Sequence, residues 1–334
     1  MRRPQEALAP LHRAIELQSD HATAHLFLGN ALLANNQFDE AIAACQESIR
    51  LKNDNPRAHY SLGKAFYGKG KLDEAIFALK ESIELGKGDP GVYFSLGIAL
   101  HRKRRWDEAI ASYQQAIRLE PDRLEAHLNL GAILCDVRRD FDGAIAEFRM
   151  AIQIRPGNSK AQNNLGRALA GKGQWDEAIA AYKEALRLQP KDVLALNGLA
   201  WILASCPDPK FRDIAQAVHQ AQLAVKLAPL DPRMWRILGV ARYRAGDWKA
   251  AITGIEKSME LSKGGDSSDW FFLAMAHWQT GNTEKAQELY RQAVQWMEKQ
   301  APEDGDLRRF RAEAAKLIGN PAEKEGPERS KPKD

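Results

Sequence analysis

The chain has 334 residues, 44% hydrophobic and 28% charged, with 48 basic side chains against 44 acidic ones. A net charge of +4 is too balanced to argue for nucleic acid, and no apolar run reaches the roughly eighteen residues a membrane span needs. The start, Met1-Arg2-Arg3-Pro4, leads into no signal-peptide core. Cys45, Cys135 and Cys206 are widely spaced and form no C-x-x-C pair, so a reducing, cytoplasmic setting is expected.

From residue 22 onward the chain repeats itself. Gly29, Gly63, Gly97 and Gly131 stand 34 residues apart. Each is followed by a phrase of one type: Phe38-Asp39-Glu40-Ala41-Ile42, Leu72-Asp73-Glu74-Ala75-Ile76, Trp106-Asp107-Glu108-Ala109-Ile110 and Phe141-Asp142-Gly143-Ala144-Ile145. Trp175-Asp176-Glu177-Ala178-Ile179 continues the series. After Gly131 the step to the phrase is one residue longer. Further small residues follow at Ser48, Ser82, Ala116, Ala151 and Ala185, and Pro121, Pro156 and Pro190 close three units.

This pattern has a physical reading. Each unit holds two amphipathic stretches of helical period, parted by a Gly- or Asn-containing break. Small residues sit where two backbones must approach. The Asp of each phrase puts an acceptor and a negative charge where a helix start has free N–H groups. Proline stops the second stretch. One such hairpin cannot bury its own apolar face, whereas a stack of them can.

These units resemble the tetratricopeptide repeat family, whose repeat is about 34 residues long. The resemblance implies an all-α fold, a right-handed α-solenoid of helix-turn-helix repeats. In chain order, 1–21 reads as an incomplete repeat or N-terminal capping helix, with its helix over 4–18. Eight repeats follow at 22–55, 56–89, 90–123, 124–158, 159–192, 193–231, 232–266 and 267–300. Residues 301–319 read as a C-terminal helix capping the last hairpin, and 320–334 as a disordered charged tail. The sixth repeat is longer, with Cys206-Pro207-Asp208-Pro209-Lys210-Phe211 between its helices.

Catalytic chemistry finds no foothold. Gly68-Lys69-Gly70-Lys71 and Gly171-Lys172-Gly173-Gln174 follow helices and lack the phosphate-loop spacing, so they read as turns. His25, His59 and His127 occupy one repeat position, where the family often has Trp, and lie too far apart to share a metal. No catalytic residue, metal or cofactor is expected.

In this family the first helix of each repeat lines a concave groove. Carried over by position, the resemblance implies a groove of Asn30, Tyr60, Lys64, Tyr67, Phe94, Arg102 and Asn129, continuing through Lys160, Asn163, Asn164, Arg167, Asn197, Trp201, Arg233, Arg236 and Tyr243. Asparagine can donate to and accept from an extended peptide backbone. The excess of cations, Arg57 and Arg244 included, points to an acidic peptide or protein segment. The expected function is therefore a non-catalytic adaptor, of unknown oligomeric state. The alternatives are a substrate-recruiting arm of a larger protein kinase or O-linked glycosyltransferase type of enzyme, and single-stranded nucleic-acid binding.

Overall fold

The computed structural model describes residues 7–86 and 88–319. The first residues of the expected helix over 4–18, and the whole expected tail at 320–334, lie outside the described residues. Among the described residues all regular elements are helical, and they fall into two compact units, 1–156 and 157–334.

The first unit opens with α1 (Leu8–Leu17), which packs on α2 (Ala22–Ala34). Four antiparallel hairpins follow: α2 with α3 (Phe38–Leu51), α4 (Pro56–Gly68) with α5 (Leu72–Leu85), α6 (Pro90–Arg102) with α7 (Trp106–Leu119), and α8 (Leu124–Ile133) with α9 (Phe141–Ile154). The second unit has four more: α10 (Ser159–Lys172) with α11 (Trp175–Leu188), α12 (Val193–Ser205) with α13 (Ile214–Leu227), α14 (Pro232–Arg244) with α15 (Trp248–Ser262), and α16 (Ser267–Gln279) with α17 (Thr283–Gln300). It closes with α18 (Gly305–Ile318). Each unit is an α-solenoid of stacked hairpins.

The repeated glycines explain how the hairpins close. A Cβ at Gly97 would lie 2.6 Å from Tyr113, one at Gly131 2.7 Å from Phe148, and one at Gly29 2.6 Å from Cys45 Sγ. The missing side chain on the first helix thus admits a larger one from the second. Tyr113 and Phe148 are fully buried there, and each such burial is worth roughly 1.5–3 kcal/mol. Turns between helices use the left-handed region, with Gly70 at φ 81° and Gly173 at φ 80°, which glycine enters without a Cβ penalty.

The extra residue of the fourth repeat is absorbed locally. After α8 the backbone widens into a π-turn over Leu134–Arg138, ending at left-handed Arg139. In the sixth repeat, Asp208 accepts from Lys210 N at 3.1 Å and starts a short 3₁₀ turn, Pro209–Phe211. Asp213 then caps α13 through Gln216 N at 2.9 Å.

One expectation is corrected. Asp39, Asp73, Asp107 and Asp176 lie in the first turns of their helices but make no capping hydrogen bond there. Three of them face a cation of the next repeat instead: Lys69 with Asp39, Lys103 with Asp73 at 2.9 Å, and Arg138 with Asp107. The aspartate sits inside the helix rather than before it, so it supplies charge to the helix start and an exposed ion pair to the neighbour, the latter a weak contribution.

Candidate functional site

In the first unit α2 meets α4 and α4 meets α6, so the first helices of the hairpins form a continuous face. Ser61 Oγ donates to Asn30 Oδ1 at 2.7 Å, and the hydroxyls of Tyr60 and Ser95 lie 3.4 Å apart. Cations rest on the rings of this face. Lys64 Nζ is 5.3 Å from the Tyr60 centroid, the Arg102 guanidinium 5.1 Å from Tyr67, and that of Arg123 5.2 Å from Phe94. Arg57, Lys64 and Arg102 are exposed, and Arg57 and Tyr60 border an open cavity of about 300 Å³. Glu125 on α8 is the exposed acid of the same helix set. Asn129 is half-buried. Burial pushes the Tyr113 phenol up and Asn129 opposes that push, although the Tyr113 hydroxyl makes no well-formed hydrogen bond.

The expected groove residues of the second unit sit differently. Asn163 and Asn164 are buried, with 7% and 8% exposure, because α12 packs across α10. Asn163 Nδ2 points at Asn164 Oδ1, 3.5 Å away. The open amides expected from the sequence are therefore not available as such. Lys160 and Arg167 are exposed. Asn197 is half-buried, and its Oδ1 is buried without a hydrogen bond.

The arginines expected to be free are paired. Arg236 makes a two-point contact with Asp269, at 2.8 Å on each side, and reaches Asp266 at 2.9 Å. Burial would lower its pKa, but Asp269 and Asp266 outweigh that and raise it. Arg233 folds onto Asp231 at 2.6–3.2 Å. Arg244 pairs with Glu313 of α18. Each acid lies outside the positions that the family places in the groove, so sequence position alone paired none of them.

Helix α18 packs on α16 and α17 of the last hairpin, and single side chains of it reach Ser205 and Trp201 of α12 and Arg244 of α14. Phe310 meets Trp201 edge-on at 5.9 Å and Phe272 at 4.8 Å. Arg309 donates to the Ser205 carbonyl at 2.5 Å. Tyr243, 5.6 Å from Phe272, is driven up to about 12 chiefly by burial. Trp201, Tyr243 and Arg244 are thus engaged within the chain. The pattern Leu307, Phe310, Ala314, Ile318 shows that α18 is amphipathic, and all four are buried. Its spacing carries no information on which helices it covers.

The repeated ring position proves to be a hydrogen-bonding staple. His25 Nε2 bonds the Ser19 carbonyl at 3.0 Å, His59 that of Asn53 at 3.2 Å, and His127 that of Pro121 at 2.8 Å. Trp235 Nε1 donates to Pro229 at 2.8 Å, in the same register. Histidine replaces tryptophan here because both present a ring N–H to the carbonyl six residues back. Among the described residues no three His, Cys, Asp or Glu side chains gather to hold a metal ion, and no helix is long and apolar enough to cross a membrane.

Stacked antiparallel hairpins, with glycine seated against the larger residue of the partner helix, define a helical repeat protein. The chain belongs to the tetratricopeptide repeat family. Models described as TPR repeat or tetratricopeptide repeat match residues 29–70, 56–85, 94–159, 138–202, 210–263 and 270–299. No curated protein matches the chain significantly. Among solved structures, a tetratricopeptide repeat protein from Parabacteroides merdae is similar over 79% of this chain and 99% of its own, with a TM-score of 0.59 and 16% identity. The C-terminal part of a TPR repeat-containing protein from Cytophaga hutchinsonii is similar over 73% of this chain and 97% of its own, with a TM-score of 0.58 and 19% identity. YrrB, described as a TPR protein with an unusual peptide-binding site, covers 56% of this chain and 95% of its own, with a TM-score of 0.51 and 24% identity. At such identities the likeness is one of fold.

Proposed function

We propose that this protein is a non-catalytic adaptor that holds an extended acidic peptide against the first-helix face of its first unit. The observation that carries this reading is the exposed cation set Arg57, Lys64 and Arg102, set among Tyr60, Tyr67 and Phe94, with no ion pair to these cations among the described residues. Rings offer stacking area at low conformational cost, and unpaired guanidinium and ammonium groups reward carboxylates without first breaking an internal pair. Tetratricopeptide arrays are built to present such a face rather than to carry out chemistry. The second unit is the poorer candidate for this ligand, because Arg233, Arg236 and Arg244 already have carboxylate partners.

The test is fluorescence anisotropy with a labelled Glu/Asp-rich peptide. Binding should weaken as salt rises from about 0.05 to 0.5 M. The variant Arg57→Glu/Lys64→Glu/Arg102→Glu should lose about tenfold or more in affinity. Salt-independent binding, or a triple variant that binds as well as the wild type, rejects the reading.

A further inference from the structure

We infer that the second unit holds a receptor for a basic side chain, a lysine or arginine presented by a partner segment, in the open cavity between α12, α14, α16 and the start of α18. Its residues are other than those proposed for the acidic peptide, so the two readings stand or fall separately.

The cavity, of about 400 Å³, is walled by Trp201 of α12, Trp296 of α17 and Phe310 of α18. That volume falls in the range of small-ligand sites, roughly 300–1,000 Å³. Trp201 and Trp296 are half-buried, and among the described residues no cation rests on either ring. Of the aromatic side chains, tryptophan attracts a cation most strongly. A lysine or arginine also packs its apolar stem on such rings while its charged head stays wet. Because the cavity is open, that side chain can enter while its backbone stays outside.

The charge of the wall selects a cation over an anion. Its two guanidiniums are already matched by carboxylates. Arg233 lies on Asp231, and Arg236 is held by Asp269 and Asp266. The acids of the wall are matched less fully. Asp304 and Asp306 border the cavity and are exposed. Asp304 Oδ1 accepts from Leu307 N at 2.9 Å, capping α18, and its Oδ2 has no hydrogen bond or ion pair among the described residues. Asp306 gives one oxygen to Arg309 at 2.8 Å. A carboxylate has about four acceptor sites, so both aspartates keep some in reserve. Across the wall and the groups paired with it, five aspartates outnumber three arginines. An incoming carboxylate would have to displace an aspartate from Arg233 or Arg236, whereas an ammonium or guanidinium breaks no internal pair.

The test is fluorescence anisotropy on the full-length chain with a labelled peptide of alternating glycine and lysine. It should bind at least about tenfold more tightly than the same peptide with norleucine for lysine. Asp304→Asn/Asp306→Asn keeps an asparagine cap for α18 and should cost at least about fivefold in affinity for the lysine peptide. Asp122→Asn/Asp176→Asn makes the same charge change at exposed aspartates of other helical hairpins and should leave that affinity unchanged. Trp296→Leu, which removes the ring, should cost about threefold. Equal binding of the norleucine peptide, or equal losses in the two aspartate variants, overturns the proposal. On the wild-type chain, a photo-crosslinking lysine analogue in the same peptide should attach at Trp201 or within 296–307. Attachment only elsewhere equally overturns it, and this measurement needs no variant to fold. Free N-acetyl-lysinamide binding as tightly as the peptide would overturn the assignment to a partner segment.

Discussion

Buried His127 pairs with half-buried Glu147, with Nδ1 of the ring 2.6 Å from Oε2 of the carboxylate. The other ring nitrogen meets the Pro121 carbonyl, which can only accept, so the arrangement is best satisfied by the doubly protonated ring. Burial alone would lower the imidazole's pKa, but its bonds to Glu147 and Pro121 outweigh that and hold it above its ordinary 6.5. A raised folded value means that the stabilisation is complete below the unfolded value and is lost as pH climbs through the folded one. Melting curves of the wild type and Glu147→Gln should therefore differ most at about pH 6 and converge towards about pH 9. A gap that widens with rising pH contradicts the pairing.

Asp269 is 1% exposed and is matched by two points of Arg236. Its carboxylate also accepts from Asp266 N at 3.2 Å, completing a capping box. Asp269→Asn keeps a capping acceptor but leaves Arg236 with Asp266 alone. Its cost should be about 3 kcal/mol in urea unfolding, and Arg236→Met/Asp269→Asn should recover part of it. A double variant less stable than the single one would show that the charge pair is not the source of the loss.

Gly97→Ala would drive a methyl to 2.6 Å from the fully buried Tyr113 ring. Helix propensity favours alanine there, so the sign of the effect isolates the packing. A loss of about 1–3 kcal/mol is expected from overpacking. Gly157→Ala, with nothing within 4 Å of the new methyl, should be nearly neutral. Equal effects at the two sites would contradict the close helix approach.

All three thiols are buried, Cys45 fully so. Burial pushes Cys45 up to about 12 and raises Cys206 as well. Little thiolate is then present at neutral pH, and little of it is accessible. A disulfide-exchange reagent should label none of them quickly in the folded chain and all three in denaturant. Rapid native labelling of Cys206 would show that its loop, where Arg212 Nε donates to the Cys206 carbonyl at 2.7 Å, opens readily.

Much of the fold can be read from the chain. Period, small-residue spacing and turn glycines specify helices and hairpins, because those are local matters of backbone freedom and of which residues share a face. Gly97 and Tyr113 already imply each other, since a fixed repeat brings them together. The cation–ring arrangement of Tyr60, Lys64, Tyr67 and Arg102 also follows from position within the repeat. The partners of Arg236 and Arg244 do not. Asp269 lies on the next first helix and Glu313 on a helix beyond the last hairpin, and a repeat register does not say which acid turns towards which base. The exposure of Asn163 and Asn164 depends on how α12 crosses α10. The seat of α18 has the same origin. Its sequence makes it amphipathic, but an apolar stripe is satisfied by any apolar surface. Only the tertiary packing decides that its Phe310 meets Trp201 and Phe272 and that its Glu313 meets Arg244.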